Sequence, residues 1–123
     1  MSDPHTQELK KPKVLPKANS DFYQTFQMLP ETDQATVTKV REFMQTAVAP
    51  IINDFWERDE FPFDIVPGIR HLQIAGLGFE GYGCPGGSNL LGCYVAMEIA
   101  KVDCSVATFY GVHSGLAMGS IYL

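Results

Sequence analysis

Between Glu98 and Ser114 the chain gathers several side chains able to do chemistry: Glu98, Lys101, Asp103, Cys104, Ser105, His113 and Ser114. A thiol or hydroxyl becomes a useful nucleophile when an imidazole takes its proton, and the imidazole needs an orienting acid in turn. No evident orienting acid accompanies His113, so Cys104, Ser105 and Ser114 do not read as members of a triad. His113 reads instead as a core or interface histidine. Glu98 and Lys101 stand three residues apart and read as a helical ion pair. A metal site needs several ligands converging, but His5, His71 and His113 fall in the tail, in a second helix and in a fourth. Cys84, Cys93 and Cys104 are spaced by nine and eleven residues, which suits neither a disulfide framework nor a close-paired metal site. Free thiols in a reducing, intracellular compartment are expected, with peroxisome, mitochondrion and cytoplasm left open.

Two glycine patterns invite a nucleotide reading. Gly76-x-Gly78-x-x-Gly81 and Gly81-x-Gly83-x-x-Gly86 both match the dinucleotide fingerprint in spacing. That fingerprint works between a strand and a helix, where the turn delivers phosphate to the helix N-terminus. Here a helical pattern precedes Gly76 and Pro85 interrupts the second match. The residues from Gly76 to Ser88 are therefore expected to form a tight loop that needs positive φ angles.

The elements that carry these residues follow from periodicity. With 123 residues, 46% apolar, the chain has room for one domain. Its net charge of −5 argues against a nucleic-acid binder. Residues 1–20 hold Pro4, Pro12 and Pro16 with Lys10, Lys11, Lys13 and Lys17, and predict a flexible arm, either a solvated leader or a contact to phosphate or membrane. No secretory apolar run is present. Residues 21–123 are expected to form an all-α domain of about four main helices. Asp21 to Pro30 is too apolar for a free linker and predicts a short turn or helix lying against the body.

The first long helix starts after Pro30 with Thr32 as its N-cap, and Val37, Val40, Met44, Ala47, Val48, Ile51, Ile52 and Phe55 form its stripe. Pro50 removes the hydrogen bond to the Thr46 carbonyl, which predicts a kink in one bent helix. A shorter helix through Ile65, Val66, Ile69 and Leu72 is expected to end at Gly76. Ser88 or Asn89 caps the third helix, whose inward face is Leu91, Val95, Met97 or Glu98, and Val102. Asp103 caps the fourth, accepting from Ser105 or Val106. Cys104 to Leu123 has the length of a membrane span, yet Ser105, Thr108, His113, Ser114 and Ser120 favour a helix covered by other helices. The apolar pattern is unfinished at Leu123, so the chain is expected to be the front piece of a larger protein. On these residues alone, a piece of an enzyme and a stand-alone helical association domain are both admissible.

Four separated blocks carry a resemblance. They are Val48-Ala-Pro-Ile51, Trp56-Glu-Arg-x-x-Phe61-Pro-Phe63, Gly81-Tyr-Gly-Cys-Pro-Gly86 and the run from Glu98-Ile-Ala-Lys-Val-Asp103 to Gly-Val-His113-Ser-Gly-Leu116. Over about residues 30 to 123 the chain resembles the N-terminal helical domain of the acyl-CoA dehydrogenases and the related flavin acyl-CoA oxidases. It is most similar to the glutaryl-CoA dehydrogenase-like branch and to plant peroxisomal short-chain acyl-CoA oxidases. The resemblance implies a three-part enzyme, in which a β domain and a C-terminal helical bundle complete this piece and FAD lies mainly between those two parts. It also implies an acyl-CoA substrate, loss of an α-proton to a glutamate in the C-terminal part with hydride transfer to the flavin, a homotetramer or homodimer, and electron-transfer flavoprotein or oxygen as acceptor. This piece by itself is expected to carry no catalytic base, to hold no cofactor and to be inactive. By the same resemblance Ala107, Thr108, Gly111 and Gly115 line one wall of the acyl pocket. In glutaryl-CoA dehydrogenases the position matching Ala107 is an arginine that holds the distal carboxylate, so Ala107 implies a neutral acyl chain.

Overall fold

A computed structural model describes residues 21–123, and the arm predicted over residues 1–20 lies outside them. The described residues are all-α, with no strand. Six α-helices follow in order: α1 (Glu31–Phe43), α2 (Ile52–Glu57), α3 (Val66–His71), α4 (Asn89–Ala100), α5 (Cys104–Tyr110) and α6 (Met118–Tyr122). Two π-helical stretches, Met44–Val48 and Gly111–Ala117, join α1 towards α2 and α5 to α6, so the six collapse into the four long helical paths that the sequence predicts.

The core is a seam between α1 and α4. From α1 and the π stretch after it come Val37, Val40, Met44 and Val48, at three- and four-residue steps; from α4 come Leu91, Tyr94, Val95 and Ile99, all buried. Burying each such side chain contributes about 1.5–3 kcal/mol. Of the alternatives at the middle of α4, Glu98 points inward and Met97 is left exposed.

Three local expectations need correction. Thr32 does not cap α1: Pro30 holds the N-cap position and no side-chain bond closes it. Pro lacks an N–H and has a fixed φ suited to a helix start, so the chain enters the helix two residues before a threonine cap would place it. Gly76 does not end α3. Gln73, at φ 53°, takes the left-handed position just beyond the helix, leaving Gly76, at φ 78°, for the loop that follows. Around Pro50 the helix is not continuous: in the preceding turn the Ala49 N–H donates to the Met44 carbonyl at 2.8 Å in a five-residue step, and a turn over residues 49–51 leads into α2.

The predicted caps at the other corners are present. The Leu91 N–H donates to Ser88 Oγ at 3.1 Å, and the Val106 N–H to Asp103 Oδ1 at 2.7 Å. Asp21 to Pro30 does lie on the body. A short 3-10 turn (Thr25–Met28) is closed by Asp21, whose carboxylate accepts from the Thr25 and Phe26 amides at 2.9 Å each. The Phe26 amide above all holds the Asp21 carboxyl below its ordinary range. Thr25 Oγ1 is hydrogen-bonded to Tyr94 OH, and the Phe26 ring meets the Tyr94 ring edge-on at 5.9 Å.

Candidate functional site

The stretch from α5 to α6 has two faces, and its π segment keeps them in register. Val106 and Ser114 are buried and Tyr110 half-buried, at steps of four residues. In an α-helix four residues overshoot a turn of 3.6, so an inward row at this spacing drifts sideways. The wider i→i+5 turn from Gly111 to Ala117 winds the row back. Ser114 Oγ thereby accepts from the Gly76 N–H at 2.8 Å, and Tyr110 OH donates to the Ile74 carbonyl at 3.0 Å. Two polar side chains thus tie the helix to the start of the glycine loop. Burial pushes the Tyr110 phenol above its ordinary value, so it stays a neutral donor.

The opposite face is open. Thr108, Gly111 and Gly115 lie on it together, and a Cβ added at either glycine would meet no atom within 4 Å. Thr108 Oγ1 donates back to the Cys104 carbonyl at 2.9 Å, which leaves its methyl as the outward group. Val112 and Leu116 continue the face, being 50% and 70% exposed. Ala107 does not share it fully: it is half-buried, packs against the core and stands at the rim. Of the four residues that the sequence singles out, three come together and the fourth borders them. From Cys104 to Leu123 there is no Asp, Glu, Lys or Arg. His113 is exposed and stacks on Phe109, with ring centroids 6.3 Å apart and 9° between planes, so it is not a core histidine. Beside α6, Phe79, Tyr82, Cys84, Met118, Ile121 and Tyr122 line a half-open apolar cavity of about 390 Å³.

Two further polar groups link helices of the domain, and in each only one of the contacts is legible in the sequence. Glu98, 3% exposed, accepts from Arg41 Nε and Nη2 at 3.0 Å each and from Lys101 Nζ at 2.6 Å. Burial pushes its carboxyl up, but the hydrogen bonds and charges of Arg41 and Lys101 outweigh that and hold it below its ordinary value. The pairing with Lys101 is legible from spacing; the bidentate bond from Arg41, on α1, is not. Likewise the Asp103 cap is legible, whereas the Trp56 indole N–H donating to Asp103 Oδ2 at 2.7 Å is not, because it joins residues 47 positions apart.

Among the described residues no group of three or more His, Cys, Asp or Glu is placed to hold a metal ion, and no helix is long and apolar enough to cross a membrane. The three cysteines are free thiols.

A family model described as acyl-CoA dehydrogenase, N-terminal domain, matches residues 30–123. Family membership associates the whole protein with FAD, and the glycine loop and the first turn of α4 do not fit that cofactor's pyrophosphate. No strand precedes the glycine loop, its Gly76 N–H is already taken by Ser114, and the first-turn Leu91 N–H of α4 is taken by Ser88. Neither the loop nor the first turn of α4 offers a cation to a pyrophosphate. Charge-free helical walls, a glycine loop without a nucleotide cradle and the match over residues 30–123 agree: the chain belongs to the acyl-CoA dehydrogenase family, and these residues are its N-terminal helical domain.

Proposed function

We propose that residues 21–123 serve as the N-terminal helical domain of a flavoenzyme that α,β-dehydrogenates an acyl-CoA thioester to the trans-2-enoyl-CoA, and that the open face of α5 is one wall of its acyl pocket. The family match over residues 30–123 carries this reading. The wall is made of Ala107 at the rim with Thr108, Gly111 and Gly115, and its groups are a methyl, a methyl-bearing threonine and bare backbone. Such a surface suits a neutral acyl chain. A distal carboxylate placed here would be desolvated with no cation on Cys104–Leu123 to pair with, which costs several kcal/mol.

The catalytic base and FAD belong, on this reading, to β and C-terminal helical domains that pack beyond these residues, in a homodimer or homotetramer. On this reading the chain is placed with the glutaryl-CoA dehydrogenase-like and plant short-chain acyl-CoA oxidase-like branch, with Ala107 as the departure that removes dicarboxylate binding. The exposed, uncharged face from Val112 to Leu116 supports coverage by those domains, since contiguous apolar surface of this kind marks a contact. The acceptor is electron-transfer flavoprotein or oxygen; a stopped-flow comparison of how fast each reoxidises the reduced flavin decides between them. The compartment is intracellular on this reading, in keeping with its free thiols.

The substrate proposal is tested in the intact enzyme by comparing butyryl-CoA with glutaryl-CoA, in wild type and in Ala107→Arg. Wild type is expected to favour butyryl-CoA and the variant to gain glutaryl-CoA turnover. Faster turnover of glutaryl-CoA by wild type would end the neutral-chain proposal.

A further inference from the structure

Trp56, the one tryptophan in the chain, sits in the last turn of α2 and is 60% exposed. A ring left that far in water gains little from burial, so its placement has another cause. Its N–H reaches Asp103 Oδ2 at 2.7 Å, the oxygen that the α5 cap leaves over, while Oδ1 holds the Val106 amide at 2.7 Å. Asp103 is 6% exposed, so both bonds run to a nearly buried carboxylate, and charge-assisted bonds of this length are the strong kind. One carboxylate therefore fixes the end of α2 to the first turn of α5.

Packing duplicates that link only in part: the Phe61 ring, four residues after α2, meets Phe109 of α5 with centroids 4.9 Å apart, and the space nearer the first turn of α5 stays open. Between α2 and the start of α5 lies a half-open cavity of about 320 Å³, lined in part by Ile52, Phe55, Trp56, Phe61, Pro62 and Ser105. The hydrogen bond spans the side of α5 that side chains leave unfilled. The next residues along α5 after the capped amide are Ala107 and Thr108.

We infer that Trp56 is a positioning residue for the acyl wall: acting through Asp103, its N–H sets the height and tilt of α5, and so where Ala107, Thr108 and Gly111 meet the acyl chain. This rests on the acyl-wall reading given above. The test uses the intact flavoenzyme with Trp56→Phe, which removes the N–H and, at an exposed site, little packing. Asp103→Asn and the double variant complete a cycle.

A displaced wall raises KM for butyryl-CoA by roughly tenfold in Trp56→Phe while kcat stays within about twofold and inhibition by free CoA is unchanged. The double variant is then no worse than Asp103→Asn, because Trp56 acts only through that carboxylate. Faster hydrogen exchange at the Val106 amide in Trp56→Phe reports the same loosening without turnover. Should Trp56→Phe fail to fold, Asp103→Asn read by the same KM and exchange measurements decides the matter. A fall in kcat with KM and Val106 exchange unchanged means a structural role only and overturns the inference. Gly111→Leu separates the two readings. If it shifts KM with acyl chain length while Trp56→Phe does not, the wall stands and the positioning role is lost. If neither variant alters the dependence on acyl chain, the wall itself is lost, and the inference with it.

Discussion

The seam between α1 and α4 and the run from α5 to α6 are built alike, from apolar residues at helical steps, and end in opposite states. At the seam Val37, Val40, Met44 and Val95 are at most 1% exposed, and Arg41 and Lys101 reach in from the rim to the buried Glu98 to close the edge. Along α5 to α6 only one edge is used, through Val106, Tyr110 and Ser114, and the other offers Val112 and Leu116 to the surroundings. The first region spends its side chains on holding the domain together. The second is held in place by a few polar bonds, which leaves its outer face exposed. On the proposed reading stability and acyl recognition are separated along the chain, so substitutions in the two regions should report on different properties.

The sharpest contrast comes from equal truncations. Met44→Ala should cost about 2–5 kcal/mol of unfolding free energy, as large-to-small changes in packed cores do. Leu116→Ala should stay within about 0.5 kcal/mol. Urea denaturation of both variants checks this, and similar losses would erase the distinction between the regions. Next in size, Arg41→Ala leaves the buried Glu98 carboxylate with Lys101 alone and should cost about 2–4 kcal/mol, less than a fully buried pair because Arg41 is 37% exposed.

The same cluster sets an acid limit. Because the folded carboxyl of Glu98 is held below its ordinary value, its contribution is complete above the unfolded value of about 4.3 and is lost as pH falls through the lowered folded one. Denaturation midpoints measured from neutral pH downward should therefore drop in wild type below about pH 4.3, and drop less in Arg41→Ala, where the lowering is reduced. Smaller again, Ser88→Ala removes the acceptor of the Leu91 amide and should cost about 1 kcal/mol in thermal or urea unfolding. Smallest and of opposite sign, Gly115→Ala should raise stability by up to about 1 kcal/mol, since its Cβ meets nothing and the helix loses a flexible residue. In the intact enzyme the same change should alter acyl-CoA binding. A destabilised Gly115→Ala protein would mean that this face is closed after all.

What was legible in the residues were features with a local cause. The Ser88 and Asp103 caps, the left-handed glycines of the loop and the inward row of α1 each follow from a few adjacent residues. Arg41 could be placed only on the polar face of α1, because its partner lies 57 positions away and no spacing rule reaches that far. Trp56 belongs to the same class. The two π turns escaped for a different reason: a 3.6-residue template cannot distinguish a widened turn from an ordinary one when the apolar steps are already three and four. At the wall, the face shared by Thr108, Gly111 and Gly115 follows from helical spacing, and the rim position of Ala107 depends on how α5 leans on the core. For His113 the core alternative falls away, because its neighbour Phe109 supplies a ring to lie on, which makes an exposed imidazole acceptable.

The bond from Arg41 to Glu98 also bears on the order of assembly. During synthesis α1 emerges with nothing to cover its stripe, and a helix of 13 residues is marginal in water. Its partner leaves the ribosome 57 residues later, together with the rest of α4. Until then Val37, Val40 and Met44 lack the α4 side chains that bury them in the folded domain, so the seam can close only after α4 has emerged.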